Sequence, residues 1–463
     1  MKKIFIFMLT AIMLMSFAAC RGKDEDDKNT SNTGVSSGGT TQIYFLNFKP
    51  EISSVYEKIA SDYEKETGVM VMVVTAASDT YEQTLTSEIA KTDAPTIFQI
   101  NGPVGFQSWK DYCLDLGDTS FYGFLSDQTL AISEDGGIYG IPYVIEGYGI
   151  IYNEEITDKY FELTDRDTTV SSMAQVNNFE KLKTLVEDMQ AHKDDLGIDG
   201  VFASTSMSSG NQWRWQTHLA NIPFYYEFKE NEGYDDTVLA GLAADEIQFK
   251  YSDYMKNTFD LYINNSCTQK GLLGSKSVTD SMSEFALGKA AMVQNGTWAW
   301  ADISGVAGNT VDEEKIKFLP IYTGMEGEET QGVCVGTENY LAVNSKVSAD
   351  KQKASIAFLE WLFSSDAGKR YVVEELNFIT PFNTFGEDER PSDPLARNLV
   401  EWTQKSGIVS VPWSFASFPS EAFKESFGSA LLEYVQGTKD WDAVKSTVIN
   451  SWKSERAASA DNG

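Results

Sequence analysis

The sequence predicts an α/β protein that is built from two lobes. Between residues 43 and 100, strand-like and helix-like runs alternate in a β-α-β-α-β order, which predicts a parallel sheet with right-handed crossovers. The length of 463 residues exceeds what one ordinary core accommodates, so we expect at least two compact units. The run 138–153 (IYGIPYVIEGYGIIYN) places two β-rich segments around Glu146 and Gly147. We expect the chain to pass from one lobe to the other there, with Glu146 at the mouth between them.

Composition and charge restrict the classes of function. The chain is 42% hydrophobic and 23% charged, which is typical of a globular protein. Its formal net charge is −31, which argues against a nucleic-acid partner because phosphate binding needs clustered lysine and arginine.

The chain has few histidines and cysteines, and their spacing matches no catalytic or metal-binding motif. The two histidines, His192 and His218, are far apart in the sequence, so we expect neither a zinc site nor a histidine-based triad. Apart from Cys20, the chain has Cys113, Cys267 and Cys334, which show no metal-ligand spacing. We expect buried free thiols instead of a disulfide framework, no bound metal and no cofactor.

The N-terminus has the pattern of a bacterial lipoprotein signal. Lys2 and Lys3 precede an apolar run over residues 4–15, and small residues then lead directly to Cys20. The sequence FAAC at 17–20 resembles a lipobox, with phenylalanine where leucine is commoner. This resemblance implies that Cys20 is acylated and becomes the mature N-terminus, and the alternative is an ordinary secretory signal. Residues 21–41 carry a single apolar side chain, Val35, which predicts a flexible tether.

The first elements after the tether predict the ligand-facing edge of a sheet. We expect strands over 43–48, 69–74 and 96–100, the second of them buried on both faces, and helices that begin near Ser53 and Thr80. In parallel sheets, ligands sit beyond the carboxyl ends of the strands. The polar and aromatic residues at those ends are Asn47, Phe48, Asp79, Gln99 and Asn101. No glycine-rich phosphate loop follows any of these strands, so a nucleotide-binding role lacks its motif.

The second half adds aromatic residues in loops and turns. Trp213 and Trp215 follow a polar loop over 204–210, and taken alone such a pair is more typical of a core than of a ligand platform. Gly296 turns the chain before Trp298, and Trp413 lies in an aromatic turn. We also expect strands over 315–322 and 335–343 and an amphipathic helix over 351–363.

Five stretches in a fixed order resemble the family 1 extracellular solute-binding proteins of ABC importers. They cover residues 62–68, 93–98, 138–153, 285–300 and 357–368, so the resemblance runs over nearly the whole chain after the tether. It implies a periplasmic-binding-protein-like fold, in which two α/β lobes are joined by several hinge crossings and hold a ligand in the cleft between them. The implied N-terminal lobe comprises 42–146 and about 338–388, and the C-terminal lobe comprises 147–337 and about 392–463.

The resemblance also assigns residues to the ligand. Trp298 matches a tryptophan that stacks on a sugar ring, Glu146 matches a cleft glutamate, and Trp213, Trp215 and Trp413 match groove-lining aromatics. Asp79 and Tyr81 align with a helix start that contacts sugar. Phe48 and Gln99 depart from the pattern. Aromatic faces together with amide and carboxylate groups suit a pyranose, which has an apolar C–H face and a rim of hydroxyls. We therefore expect rim contacts from the following residues: Asn47, Gln99, Asn101, Glu146 and Glu338.

The sequence thus predicts a lipid-anchored, extracytoplasmic and monomeric binding protein that captures an oligosaccharide and delivers it to a permease. Tyr148 is expected to face the cleft, and Gly147 and Gly149 are expected to act as hinges. One alternative is a binding protein for a non-sugar solute such as a polyamine, a peptide or a metal. Another is a secreted glycoside hydrolase, which needs two carboxylates about 5–10 Å apart across the scissile bond.

Overall fold

A computed structural model of the chain describes residues 42–76, 80–234, 236–337, 339–386 and 388–461. The predicted signal peptide with Cys20, the predicted tether, and the candidate ligand residues Asp79 and Glu338 lie outside these ranges. Within the ranges, no helix has the combination of length and apolar character that a bilayer span requires.

Twelve strands form within the described residues. They are β1 (Gln42–Asn47), β2 (Met70–Thr75), β3 (Ile97–Asn101), β4 (Ile132–Glu134), β5 (Gly137–Pro142), β6 (Glu146–Asn153), β7 (Gly200–Phe202), β8 (Ala290–Gly296), β9 (Ile316–Leu319), β10 (Gln331–Gly336), β11 (Asn339–Val343) and β12 (Val409–Pro412).

Seventeen α-helices accompany these strands in the same part of the chain. They are α1 (Ser53–Thr67), α2 (Tyr81–Glu88), α3 (Gly102–Trp109), α4 (Ser120–Gly123), α5 (Glu154–Glu162), α6 (Phe179–Ala191), α7 (Lys193–Leu196), α8 (Asn221–Lys229), α9 (Thr237–Leu242), α10 (Ser252–Asn264), α11 (Val278–Ala286), α12 (Ala299–Ser304), α13 (Ala349–Ser364), α14 (Asp366–Arg370), α15 (Pro394–Gln404), α16 (Glu421–Val435) and α17 (Trp441–Asp461). Two π-helical turns, Arg214–Leu219 and Tyr371–Glu375, lie before α8 and after α14.

The first sheet has the strand order β2-β1-β3-β11-β5-β4. β1 is parallel to both β2 and β3, with Phe45 opposite Val73 and Ile97, as the β-α-β-α-β pattern predicts. β11 enters from far along the chain and runs antiparallel to β3, with Leu341 opposite Gln99. The carboxyl ends of β1 and β3 therefore lie side by side, at the edge where the sequence predicts a ligand.

The second sheet has the order β12-β10-β6-β8-β7, and β9 also pairs with β6. β6 is its central strand, and all eight of its residues are buried. Gly147 and Gly149 lie inside β6 and leave room for neighbours. A β-carbon on Gly147 would overlap the Leu399 side chain, and one on Gly149 would lie 2.6 Å from the Leu319 carbonyl oxygen. The glycines thus serve close packing here, and their hinge role stays a prediction.

Each sheet has its own hydrophobic core. The two apolar clusters around the first sheet draw their buried residues from 43–144 and 340–382, and the two around the second sheet draw theirs from 148–334 and 395–452. This arrangement, with similar known structures given below, confirms the predicted fold class. The chain passes between the sheets at residues 143–145, where Ile145 bridges Ile379, again between Gly336 and Asn339, and a third time between Phe382 and Leu395. The exact lobe boundaries stay a prediction.

Two expectations about strands are wrong. The run 335–343 is not one return strand, because β10 ends at Gly336 in the second sheet and β11 begins at Asn339 in the first. β2 is not buried on both faces. It is an edge strand, so Met70 and Met72 are 41% and 37% exposed.

The helix expectations are confirmed in outline. α1 begins at Ser53 and ends at Gly68, whose positive φ of 74° is the left-handed conformation that glycine adopts readily. The helix expected over 351–363 is α13. Cys113, Cys267 and Cys334 are all free, and the first and third are buried.

Candidate ligand-binding site

A cavity of about 180 Å³ lies between residues of the two sheets. Glu51 and Val144 line it from the first lobe, and Thr297 and Trp298 line it from the second. Glu146, the first residue of β6, lies on its wall, as does Asp393 immediately before α15. Trp298 and Glu146, predicted from the sequence to touch ligand, therefore border one space.

A buried ion pair joins the two lobes beside this cavity. The Lys49 ammonium lies 2.7 Å from the Glu146 carboxylate, and each side chain is only 7% exposed. Lys49 follows β1 of the first sheet, whereas Glu146 opens β6 of the second. Glu51 lies 3.9 Å from the same ammonium. Burial raises the pKa of the Glu51 carboxyl, an effect that the charge of Lys49 opposes.

Asn47 holds the turn that presents Lys49. Its amide nitrogen donates to the Lys49 carbonyl at 2.7 Å and to the Thr75 hydroxyl at 3.1 Å, and its carbonyl oxygen accepts from the Lys49 backbone N–H at 3.1 Å. Asn47 is fully buried. In this structure it positions the cation instead of presenting its own amide to the cavity.

Gln99 and Tyr81 are likewise engaged with their neighbours. The Gln99 side chain accepts from the Phe48 backbone N–H and donates to the Tyr143 hydroxyl. The Tyr81 hydroxyl accepts from the Gln99 backbone N–H at 2.7 Å, and both side chains are fully buried. Phe48 is half-buried and packs edge-on against Tyr81, with ring centroids 5.1 Å apart. These residues fix the ends of β1 and β3 relative to each other.

Asn101 differs from these residues because its side-chain oxygen is buried without a hydrogen-bond partner among the described residues. It immediately precedes α3, whose first residue, Gly102, has a φ of 63°. A β-carbon on Gly102 would lie 3.8 Å from the Ala416 β-carbon, so the two lobes approach closely here.

On the second lobe, six rings form one aromatic cluster, comprising Tyr148, Trp213, His218, Trp298, Trp413 and Phe415. His218 lies at its centre, stacked on Tyr148 with centroids 4.0 Å apart and planes 10° apart. Trp213 and Trp298 lie 4.9 Å and 5.5 Å from the His218 ring. Trp298 and Trp413 meet edge-on at 6.5 Å.

Several polar atoms of this cluster have no partner in the described part of the chain. The indole N–H groups of Trp298 and Trp413 are buried and unpaired, and so is Nδ1 of His218. An indole nitrogen only donates, so two of these atoms call for an acceptor. Buried polar groups are almost always satisfied, so these atoms are candidates for contact with a ligand or with water.

Two residues predicted to face ligand lie behind this surface. Trp215 is 2% exposed, packs against Phe259 and Tyr262 and donates its indole N–H to the Thr205 carbonyl. Tyr148 is fully buried and donates its hydroxyl to the His218 carbonyl at 3.2 Å. Trp215 thus packs in the core, and Tyr148 supports the cluster from below.

The loop before Trp213 is fixed by α11. Glu284 accepts from the Ser204 backbone N–H at 2.7 Å and from the Lys276 ammonium at 2.8 Å, and Ser281 donates to the Ser204 carbonyl at 2.8 Å. Burial alone would raise the pKa of Glu284, but these hydrogen bonds outweigh burial and hold it below its usual value. The segment that leads to Trp213 is therefore positioned by helix-borne polar groups.

Comparison with known proteins identifies the family of this chain. Residues 58–397 match the model of the family described as bacterial extracellular solute-binding protein. The chain belongs to this family.

Two curated relatives are similar over most of the solute-binding protein. A maltodextrin-binding protein, MdxE, of Bacillus subtilis (strain 168) is 22% identical over 428 residues, which are 89% of each chain. The multiple sugar-binding protein of Streptococcus mutans serotype c is 21% identical over 385 residues, which are 80% of each chain.

A solved structure of RafE in complex with raffinose is similar in fold. It superposes with a TM-score of 0.67 at 19% identity, and the alignment covers 90% of this chain and all of RafE. The family and the fold that the sequence predicts are thereby confirmed.

The structure adds three residues to the site of the solute-binding protein that the sequence analysis did not select. Lys49 was detectable as a lone cation directly after a strand end. His218 and Arg214 lie in the π-helical turn Arg214–Leu219. The sequence did not indicate that they are buried beside Trp213, because apolar periodicity does not show where an α-helical turn changes to a π-helical one.

Proposed function

We propose that the protein is the substrate-binding component of an ABC importer and that it captures a carbohydrate, most suitably an oligosaccharide, between its lobes. The observation that carries this proposal is the half-buried Trp298 on the wall of the interlobe cavity, whose indole N–H has no hydrogen-bond partner in the described ranges. The two curated relatives, a maltodextrin-binding and a multiple sugar-binding protein, support the same ligand class.

The chemistry of a sugar matches these groups. A pyranose packs its C–H face on an indole and offers hydroxyls that both donate and accept. The half-buried Trp298 and Trp213 supply the flat surfaces in this proposal, whereas Trp413, only 3% exposed, supports them from behind. The indole N–H groups and the side-chain oxygen of Asn101 are free to pair with the hydroxyl rim.

Binding in this proposal is coupled to closure of the lobes. A ligand that contacts Lys49 or Asn101 on one lobe and Trp298 on the other stabilises the closed form, which a membrane permease then recognises. Movement is absorbed at the three crossings, at residues 143–145, between Gly336 and Asn339 and between Phe382 and Leu395, with Gly147 and Gly149 as neighbouring hinge candidates. The remaining predicted contacts, Asp79 and Glu338, belong to this proposal through the resemblance alone.

The proposal also places the protein outside the cell membrane as a monomer, held by an acyl chain on Cys20 and carrying out no catalysis. The extracellular family supports the extracytoplasmic location. Sustained release of reducing ends from oligosaccharides, lost in Glu146→Gln, would instead favour a glycoside hydrolase.

The test is calorimetry of the purified protein against a panel of mono- and oligosaccharides. We expect at least one oligosaccharide to bind with a Kd of about 1 μM or tighter, and Trp298→Ala to weaken it more than tenfold, about 1.4 kcal/mol, because the stacking face is lost.

The matched control is Trp361→Ala on α13. Trp361 lies on the first lobe, outside the cavity, and its indole N–H donates to the Glu66 carboxylate at 3.1 Å. Its affinity should stay within threefold of wild type. An unchanged affinity in Trp298→Ala would show that the site is misplaced, and a panel without any binder would contradict the carbohydrate class.

A further inference from the structure

Arg214 carries a buried charge that the rest of the described chain leaves unpaired. It opens the π-helical turn beneath the aromatic cluster, and its guanidinium carbon lies 3.7 Å from the centre of the Trp213 ring. The residue is 2% exposed, and its Nε and Nη1 atoms have no hydrogen-bond partner in the described ranges.

A buried guanidinium destabilises the folded protein unless another group hydrogen-bonds to it or balances its charge. A buried ion without hydrogen bonds loses its hydration and gains little in return, and removing the partner of a buried charge is strongly destabilising. Burial lowers the pKa of Arg214 to about 9, and the charge of Asp302 partly opposes this. Asp302 lies on an exposed position of α12 and makes no hydrogen bond to the guanidinium.

The other charges around Arg214 do not supply a buried anion. Burial holds the pKa of His218 well below its usual value, and the positive charges of Arg214 and Lys424 lower it further. Lys424 pairs with the largely exposed Glu421 at 2.8 Å. The Glu146 carboxylate, at the start of β6, is already compensated by Lys49. None of these carboxylates is both buried and uncompensated, and Trp213, on which the guanidinium packs, lies 6.0 Å from Trp298 on the cavity wall.

We propose that the captured saccharide carries a carboxylate, as a uronic acid does, and that Arg214 binds this group. The inference rests on the proposed carbohydrate function and adds the charge class of the ligand to it. A guanidinium is planar and donates two parallel hydrogen bonds to a carboxylate, a geometry that a lysine does not reproduce. The adjacent Trp213 face keeps the guanidinium oriented while the sugar ring packs on the cluster.

The test compares acidic and neutral oligosaccharides of equal length. The pairs are trigalacturonate with galactotriose, trimannuronate with mannotriose, and xylotriose with or without a glucuronic acid branch. Dissociation constants are measured by calorimetry for wild type, Arg214→Gln, Arg214→Lys and the control Arg370→Gln, which removes an exposed arginine from α14.

We expect at least one acidic member to bind wild type at least tenfold more tightly than its neutral counterpart. Arg214→Gln should reduce that ratio at least tenfold, Arg214→Lys should reduce it less, and Arg370→Gln should leave it within twofold.

Neutral members that bind as tightly as the acidic ones would overturn this inference and leave the carbohydrate function standing. Binding of no saccharide at all would overturn both. The wild-type comparison decides the matter even if the Arg214 variants fail to fold.

Discussion

At the scale of single residues, the site is dominated by charges taken out of water. Lys49 and Glu146 come from different sheets and meet at 2.7 Å with almost no exposure. The attraction within such a pair roughly offsets its desolvation, so the pair contributes little net stability. Removing one member leaves the other charge buried and uncompensated, which costs far more than the pair itself supplies.

This imbalance predicts strong coupling in a double-mutant cycle. Lys49→Met and Glu146→Gln should each lower the free energy of unfolding by about 3 kcal/mol, because each leaves an unpaired buried polar or charged group. The double variant should lose at least 1 kcal/mol less than the sum of the two. Denaturant unfolding at pH 7 measures all three variants.

The exposed pair Lys453 and Glu246, which lies 2.6 Å apart but is 65% and 66% exposed, provides the control. Its single variants should each change stability by less than about 1 kcal/mol. Additive losses at Lys49 and Glu146 would show that the two side chains are not paired in solution.

The sequence indicated one partner of the Lys49–Glu146 ion pair and not the other. Glu146 was predictable because a carboxylate inside an apolar run needs a special environment, and the family resemblance placed it in a cleft. The position of Lys49 depends on a turn in which the Asn47 side chain hydrogen-bonds to the Lys49 backbone. That turn is a tertiary arrangement of β1 and β2, which periodicity does not encode.

At the scale of elements, the strands were predicted well where their pattern is local. The β1-α1-β2 unit and the end of α1 at Gly68 follow from apolar periodicity and one glycine. The run 335–343 was misjudged because its β-rich residues continue through the crossing. Nothing in their composition shows that β10 and β11 join different sheets.

The start of α15 predicts a measurable pH dependence. Asp393 caps this helix by accepting from the Ala396 N–H at 2.9 Å, and burial raises its pKa from 3.8 to about 6. The folded protein thus keeps a proton that the unfolded chain releases between about pH 4 and pH 6. The free energy of unfolding should therefore fall as the pH rises through this window, by up to about 3 kcal/mol.

Asp393→Asn keeps a capping oxygen and removes the charge. We expect it to raise the unfolding free energy at pH 7 by about 2 kcal/mol and to flatten the profile between pH 4 and pH 6. Asp236→Asn, at the exposed cap of α9, should not stabilise the protein. A variant Asp393→Asn that is less stable at pH 7 would mean that the ionised cap outweighs its burial cost.

At the scale of the whole molecule, the site is divided between two hydrophobic cores. The first-lobe cores hold the strand ends that present Lys49 and Asn101, and the second-lobe cores hold the aromatic cluster. Neither lobe alone supplies both the flat aromatic surfaces and the opposing polar wall. Ligand binding should therefore act on the two lobes together.

This division predicts where a bound ligand slows amide hydrogen exchange. With a saccharide at 100 times its Kd, amides that exchange only through opening of the bound form should slow by up to about 100-fold, equivalent to about 2.7 kcal/mol. The slowing should be seen in β3 and α3 of the first lobe as well as in β8 and α12 of the second. Mass-spectrometric exchange of the ligand-bound protein measures both regions in one experiment.

The variant Trp298→Ala provides the decisive comparison. Because closure depends on contacts to both lobes, a tenfold or greater loss of affinity in this variant should reduce the protection of β3 and α3 from about 100-fold to about tenfold or less at the same ligand concentration, although these elements lie on the other lobe. Protection that is confined to β8 and α12 in wild type would mean that the ligand rests on the second lobe alone. Binding would then proceed without closure, and the first-lobe residues Lys49 and Asn101 would not belong to the ligand site.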